Sequence, residues 1–329
     1  MFLVMSVFIK NIIHTCLLLV AALTACQYSL ISTPQIILKP SSTYYLDTSG
    51  SDTNDGSKLK PWKTITKLNL TQLKPGDTVC FAGAQTFNGS ILLGANDKGS
   101  KENPIVLTSN GNNNATIDAG GATALTVYQT SYINITSIHF TGSGRKTGNT
   151  KDGVIINSSH HIYIDSLSIS GFQKSGLLVY SSSDADINRV YAHDNGFAGI
   201  FITGESNKND CRNISVRHCF AENNPGDPTN FTNHSGNGIL AGFCRNVTIE
   251  NCSATNNGWD MPRVGNGPVG IWAYEADSVL IQHCISYRNK TSPGASDGGG
   301  FDLDGGVTNS TIQYCLSFEN QGSGFGIFQ

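Results

Sequence analysis

Seven short runs recur from residue 153 onward, each opening on glycine: GVIIN (153), GLLVY (176), GIFIT (199), GILAG (238), GIWAY (270), GFDLD (300) and GFGIF (324). In the first six, the first and third places after the glycine are apolar: Val154/Ile156, Leu177/Val179, Ile200/Ile202, Ile239/Ala241, Ile271/Ala273 and Phe301/Leu303. A period of two predicts β-strands with those places facing a core. A second series interleaves with the first: NISVRHC (213–219), NVTIENC (246–252), SVLIQHC (278–284) and NSTIQYC (309–315). Its cysteines are 33, 32 and 31 residues apart, and Val190, Leu167 and Ile138 hold the same place in earlier copies.

Each unit therefore carries a Gly-led strand, a turn, a second strand, a corner residue and a variable loop, at intervals of 23 to 39 residues. Units of that size with short strands predict an all-β solenoid whose coils stack in parallel. Helical leucine repeats are absent, and propeller blades would need about forty residues and antiparallel hairpins. Ahead of the repeats, YYLDTSGSDTNDG, PWKTITKLN, KPGDTVCF and QTFNGSILL suggest a first coil with a short amphipathic helix capping the open end. The pattern resembles the single-stranded right-handed parallel β-helix of the pectin-lyase-like superfamily, over residues 44–329. Because the chain stops inside the strand run GFGIFQ, further C-terminal coils are expected beyond it.

Charged residues make up 14% of the chain and the net charge is −3, so there is no basic footprint for nucleic acid. Residues 1–26 read as a signal segment: Lys10 precedes the apolar run CLLLVAALTA, which is too short for a membrane span. LTAC resembles the bacterial lipobox, which implies lipid attachment at Cys26; ordinary secretion with cleavage near that point is the alternative. Residues 27–43 read as a linker. The expected location is extracytoplasmic, as a cell-surface or outer-membrane lipoprotein or a secreted monomer, touching membrane only through a lipid anchor.

Of nine cysteines, Cys16 and Cys26 fall in the signal segment. The corner series Cys219, Cys252, Cys284 and Cys315 reads as a buried ladder of free thiols, with Cys211 and Cys244 as a shorter one. Disulfides between neighbouring coils suit parallel Cβ vectors badly, and no C-x-x-C or Cys/His spacing suggests a metal.

The second and fourth places after each glycine point outward, and two of them carry carboxylates, Asp302 and Asp304. Paired carboxylates on an exposed strand do nothing for packing, so they are the strongest candidates for chemistry. The same outward row holds Tyr180, Phe201, Trp272 and Tyr274, flat rings suited to stacking on sugars. The long loops 222–237, 256–269 and 289–299 all precede Gly-led strands, so they should wall a groove over this row. They bring His234, Asp260, Arg263, Arg288, Lys290 and Asp297 within reach, while Glu275 or Asp277 lies one coil below. Asp302 and Asp304 are about 6.5 to 7 Å apart at Cα, which leaves the stereochemistry of hydrolysis open.

GFDLD also resembles the position that pectate lyases and polygalacturonases use for acidic residues that bind Ca²⁺ or act as catalytic acids. The resemblance implies those roles for Asp302 and Asp304. Asp297, Asp302 and Asp304 could together hold Ca²⁺, a hard ion that takes oxygen ligands. In a lyase, Arg263 or Lys290 would then remove the C5 proton of a uronate. No Lys or Arg directly follows the acids, and the polygalacturonase G-H-G and R-I-K motifs are absent. The expected function is a carbohydrate-active enzyme, a polysaccharide lyase or glycoside hydrolase; the alternative is a non-catalytic glycan-binding or structural solenoid.

Overall fold

The computed structural model describes residues 41–328 apart from 207 and 209. The signal segment, Cys26 and linker residues 27–40 lie outside the described residues. Within them the chain winds into a parallel β-helix with three sheets of ten, nine and nine strands. Each full coil contributes one strand to each sheet, Thr43–Leu46 adds a tenth to the first, and all strand pairs between coils are parallel, as in Val154↔Leu177 and Leu177↔Ile200. The Gly-led runs form one sheet, which includes Ser175–Tyr180, Ala198–Thr203, Asn237–Gly242, Val269–Tyr274 and Gly299–Leu303.

The predicted inward residues are buried: Val154, Ile156, Leu177, Val179, Ile200, Ile202, Ile239 and Ile271 all lie in one continuous core. The expected cap is a five-residue helix, Ile65–Asn69, which buries Ile65 and Leu68. Its first turn is held by the Thr64 hydroxyl, which accepts from the Lys67 N–H.

A solenoid must turn a corner three times per coil, and here single left-handed residues do it. Ser137, Ser166, Arg189, His218, Asn251, His283 and Tyr314 all have φ between 50° and 56°. The corner cysteines follow directly. All seven described cysteines are free thiols, which matches the packing expectation. They also bond: the Cys219 N–H donates to Cys252 Sγ, and the Cys252 N–H to Cys284 Sγ, each at 3.4 Å.

A third corner carries a ladder that strand periodicity did not reveal. Asn195, Asn224, Asn257 and Asn289 are buried one above another, and Asn320 continues the column. Each side-chain oxygen accepts from the amide of the coil before, as Asn257 Oδ1 does from Asn224 Nδ2 at 2.9 Å. Each NH₂ donates in turn to a carbonyl one coil earlier, as Asn257 Nδ2 does to the Ala221 oxygen at 3.0 Å. Buried amides are tolerated only when so paired. Asn257→Ala leaves several of these groups unsatisfied and should cost roughly 2–4 kcal/mol, whereas Cys252→Ala should cost less than about 2. Urea unfolding midpoints at constant slope would check the order; an equal or reversed pair would contradict it.

Candidate active site

Asp302 lies in register between Trp272 of the preceding coil and Gly326 of the next. Its neighbours Phe301 and Leu303 face the core, so alternation directs its carboxyl outward. It is nevertheless only 7% exposed. The expectation of a solvated strand face is thus corrected: the three long loops fold over the outward row and exclude most water.

The loops are tied down by specific bonds. Arg145 and Lys146 both pair with Asp260, and Arg145 also donates to the Gly226 carbonyl at 2.9 Å. Lys174 pairs with the buried Asp227, whose side chain also accepts from Gln173 at 2.9 Å. Gly258 is required where loops cross, since a Cβ there would lie 2.2 Å from the Lys290 carbonyl oxygen.

An opening remains at the end of the row. His234, Trp272, Asp297, Asp302, Asp304 and Phe328 line a cleft of about 220 Å³. A second hollow of about 120 Å³ adjoins it on the far side of Asp302. Three carboxylates therefore meet, two from the strand run and one from the loop before it. Asp297 adopts φ 65° and its Oδ2 accepts from the Gly267 N–H at 2.8 Å. Asp304 follows the strand; its own N–H donates to the Ala273 carbonyl at 2.9 Å, and its Oδ1 accepts from the Gly305 N–H at 2.8 Å.

Asp302 is the perturbed member. Its Oδ1 is buried without a hydrogen-bond partner. The facing position is Gly326, where a Cβ would sit 2.8 Å from that oxygen. Burial first, then the charges of Asp304 and Asp297, push its pKa up to about 7. Desolvation and like charges both disfavour the carboxylate form, so a proton is held near neutrality.

Other expected members lie elsewhere. Glu275 sits at a corner against Gly306, and Asp277 accepts from Thr308 and Asn309 at 2.7 Å each; neither lines the cleft. Arg263 donates to the Asn266 carbonyl at 3.1 Å, near His234 but off the cleft lining. Asp260 is spent on holding loops, Arg288 pairs with Glu319 at 2.6 Å on an exposed surface, and Lys290 is exposed.

The aromatic row is mostly structural, which corrects its expected role as a stacking platform. Trp272 is 4% exposed. With Leu240 and Val269 it forms a second small core, against which Phe201 and Tyr274 pack. Tyr274 lies over Gly242, where a Cβ would be 2.3 Å from the ring. Tyr180 is half-buried beside Asn157 and Thr203, outside the cleft. His234 does line the cleft, with its ring edge against Trp272.

Asn237 is the residue that strand periodicity missed. It is fully buried and bonds to His234, Trp272 and the Phe197 carbonyl. A signal was present: its register column holds Ala198 and, one coil on, Val269, and an amide among apolar residues needs partners.

Calcium remains an expectation rather than a fitted ligand. Among the described residues no group of three His, Cys, Asp or Glu side chains is placed to hold a metal ion. One oxygen of Asp297 is already committed to a backbone amide. No step below is routed through a metal.

Fold and cleft together define a parallel β-helix protein with an acidic, loop-walled site on one sheet. The chain belongs to the Pel9A-like right-handed β-helix family, whose model matches residues 44–327. No curated protein matches the sequence. Among solved structures, the GH136 lacto-N-biosidase from Eubacterium ramulus is similar at 17% identity and a TM-score of 0.69, over 86% of this chain and 57% of that one. Pectate lyase Pel9A is similar at 16% identity and a TM-score of 0.55, over 86% of this chain and 64% of that one. A glycoside hydrolase aligns at 8% identity and a TM-score of 0.57, over 88% of this chain and 96% of that one. The chain spans less than two thirds of the first two, and at these identities the likeness is one of fold.

The raised pKa of Asp302 has a consequence for stability. The folded state binds its proton up to about pH 7, while an unfolded aspartate releases it near 4. The unfolded state therefore binds fewer protons across that window, and stability falls as pH rises from about 4 to 7. Asp302→Asn should flatten this part of the profile and be more stable than the parent at pH 8. Urea midpoints at pH 5 and pH 8 measure it; an unchanged slope in the variant would remove Asp302 as the cause.

Proposed function

We propose that the chain is an extracytoplasmic polysaccharide-active enzyme that hydrolyses a glycosidic bond in the acidic cleft, with Asp302 as the acid. The observation that carries this reading is the Asp302 carboxyl, pushed up to about 7 beside two other carboxylates. A protonated acid next to an ionised one is the pairing glycoside hydrolysis needs. Asp302 gives its proton to the departing glycosidic oxygen as the C1–O bond breaks. Attack on C1 comes from a water that loses its proton to Asp304, or from Asp304 itself, whose glycosyl ester is then cleaved by a water that returns a proton to Asp302; inversion or retention at C1 distinguishes the two. Asp297 adds negative charge that keeps Asp302 protonated.

Hydrolysis is favoured over elimination because a lyase needs a base at C5, and neither Arg263 nor Lys290 lines the cleft. The fold neighbours named above include both hydrolases and a lyase, which supports the carbohydrate class and not the choice within it. The signal-like segment 1–26 supports placement outside the cytoplasm, with Cys26 as the lipid attachment point.

A panel of polysaccharides with product analysis tests the reading. Reducing ends should appear without unsaturated uronates, and turnover should survive a chelator. Asp302→Asn and Asp304→Asn should each lower kcat about 10²- to 10⁴-fold. Unsaturated products, or loss of activity on chelation, would instead support a calcium-dependent lyase. Binding without turnover by the parent protein would support a glycan-binding solenoid.

A further inference from the structure

Asn237 connects a buried indole to the cleft histidine in a way that fixes where the histidine carries its proton. Trp272 Nε1–H can only donate, and it does so to Asn237 Oδ1 at 3.0 Å. The Phe197 carbonyl can only accept, and it receives Asn237 Nδ2 at 3.1 Å. Turning the amide over would set donor against donor at Trp272 and acceptor against acceptor at Phe197. Both misfits would be buried, since Asn237 is 0% exposed. The NH₂ must therefore be the group that faces His234 Nδ1, at 3.0 Å. An NH₂ donates, so Nδ1 presents its lone pair and the ring proton sits on Nε2.

The surroundings keep the ring neutral. Burial, with the nearby charge of Arg263, pushes the His234 pKa down to about 4, against a smaller upward pull from Asp304. Among the described residues Nε2 has no hydrogen-bond partner, and it is not one of their buried orphan atoms. The ring itself lines the cleft with Asp297, Asp302 and Asp304. The carboxylates beside it can only accept, so a neutral N–H adds a fixed donor for a ligand hydroxyl or ether oxygen.

We propose that His234 is a fixed hydrogen-bond donor to the sugar bound in this cleft, through Nε2–H, and that Asn237 held by Trp272 is the positioning residue that sets its tautomer. The proposal deepens the hydrolase reading and rests on it for the identity of the ligand. His234 is then neither the acid nor the base of the reaction. It orients an oxygen of the substrate, and it does so unchanged from about pH 5 upward.

Long-range proton–nitrogen correlation spectra of the intact protein, with His234 assigned from its loss in His234→Gln, read the tautomer directly. The expected spectrum shows Nε2 protonated and Nδ1 bare at neutral pH, with titration only near pH 4. In Asn237→Asp the carboxylate can only accept, so Nδ1 should gain a proton and the titration should move upward. A parent spectrum with Nδ1 protonated, with mixed tautomers or with titration above pH 6 would overturn the proposal.

On whichever polysaccharide of the panel is cleaved, His234→Ala should lower kcat/KM roughly tenfold or more. His234→Gln, whose amide NH₂ stands near the place of Nε2–H, should recover most of that loss. Alanine within twofold of the parent, or glutamine no better than alanine, would overturn the donor role. The tautomer is read without ligand, so a wrong tautomer sinks this proposal even if a polysaccharide is cleaved. Failure of every polysaccharide to react sinks the hydrolase reading instead.

Discussion

Register between coils is the constraint on which everything else depends. Once strand pairs such as Val154↔Leu177↔Ile200 are set in parallel, every side chain has its own column of neighbours above and below. A polar residue placed inside one coil is then satisfied by the equivalent residue of the next and by the backbone of the coil before. The column Asn195, Asn224, Asn257, Asn289 and Asn320 is the result, each amide from Asn195 to Asn289 donating to the side-chain oxygen of the next coil's asparagine. The site depends on that column. The loops that wall the cleft leave the solenoid directly after Asn224, Asn257 and Asn289, so the ladder fixes where each one starts.

Register also makes the chemistry of Asp302. The column gives it a buried indole on one side and a glycine on the other. An indole removes water without offering its N–H, which is already given to Asn237. Gly326 leaves room for the carboxyl and supplies no donor. The carboxyl therefore sits in a dry slot facing two like charges, and protonation is its least costly state. A side chain at 326 would either fill that slot or offer a partner, and in both cases the acid would lose its character.

The parts legible in the sequence were those set by periodicity along a strand. Alternation assigned inward and outward faces correctly, and the cysteine spacing gave the corner ladder. Alternation says which way a side chain points, but not what lies over it. Trp272 points outward, as read, and is then buried with Leu240 and Val269, with Phe201 packed against them, because His234 and Asn237 of an earlier coil come over its ring. The ion pair of Arg145 with Asp260 bridges residues 115 apart, and no local pattern announces it. Glu275 was placed by its position one coil below the acids, but the corner at φ 44° turns it toward Gly306 instead. Asn257 and its equivalents follow Asn, Asp, Arg or Glu at corners. Asparagine in such a place reads as turn chemistry until the coils are stacked.

The covering of the outward row also decides how rigid the site is. Long loops with little secondary structure are ordinarily the mobile part of a solenoid, and a catalytic acid needs its environment held to a fraction of an ångström. Here the loops do not rely on their own backbone. The apolar patch of Leu240, Val269 and Trp272 gives them a surface to pack on. Asp227, with a fully buried side chain, must keep Lys174, Gln173 and Thr229 as partners or stand as an unpaired buried charge. The aromatic residues first read as a platform for sugar therefore act on the cleft at one remove. They dry the acid, orient the amide that sets His234, and hold the walls in place around both.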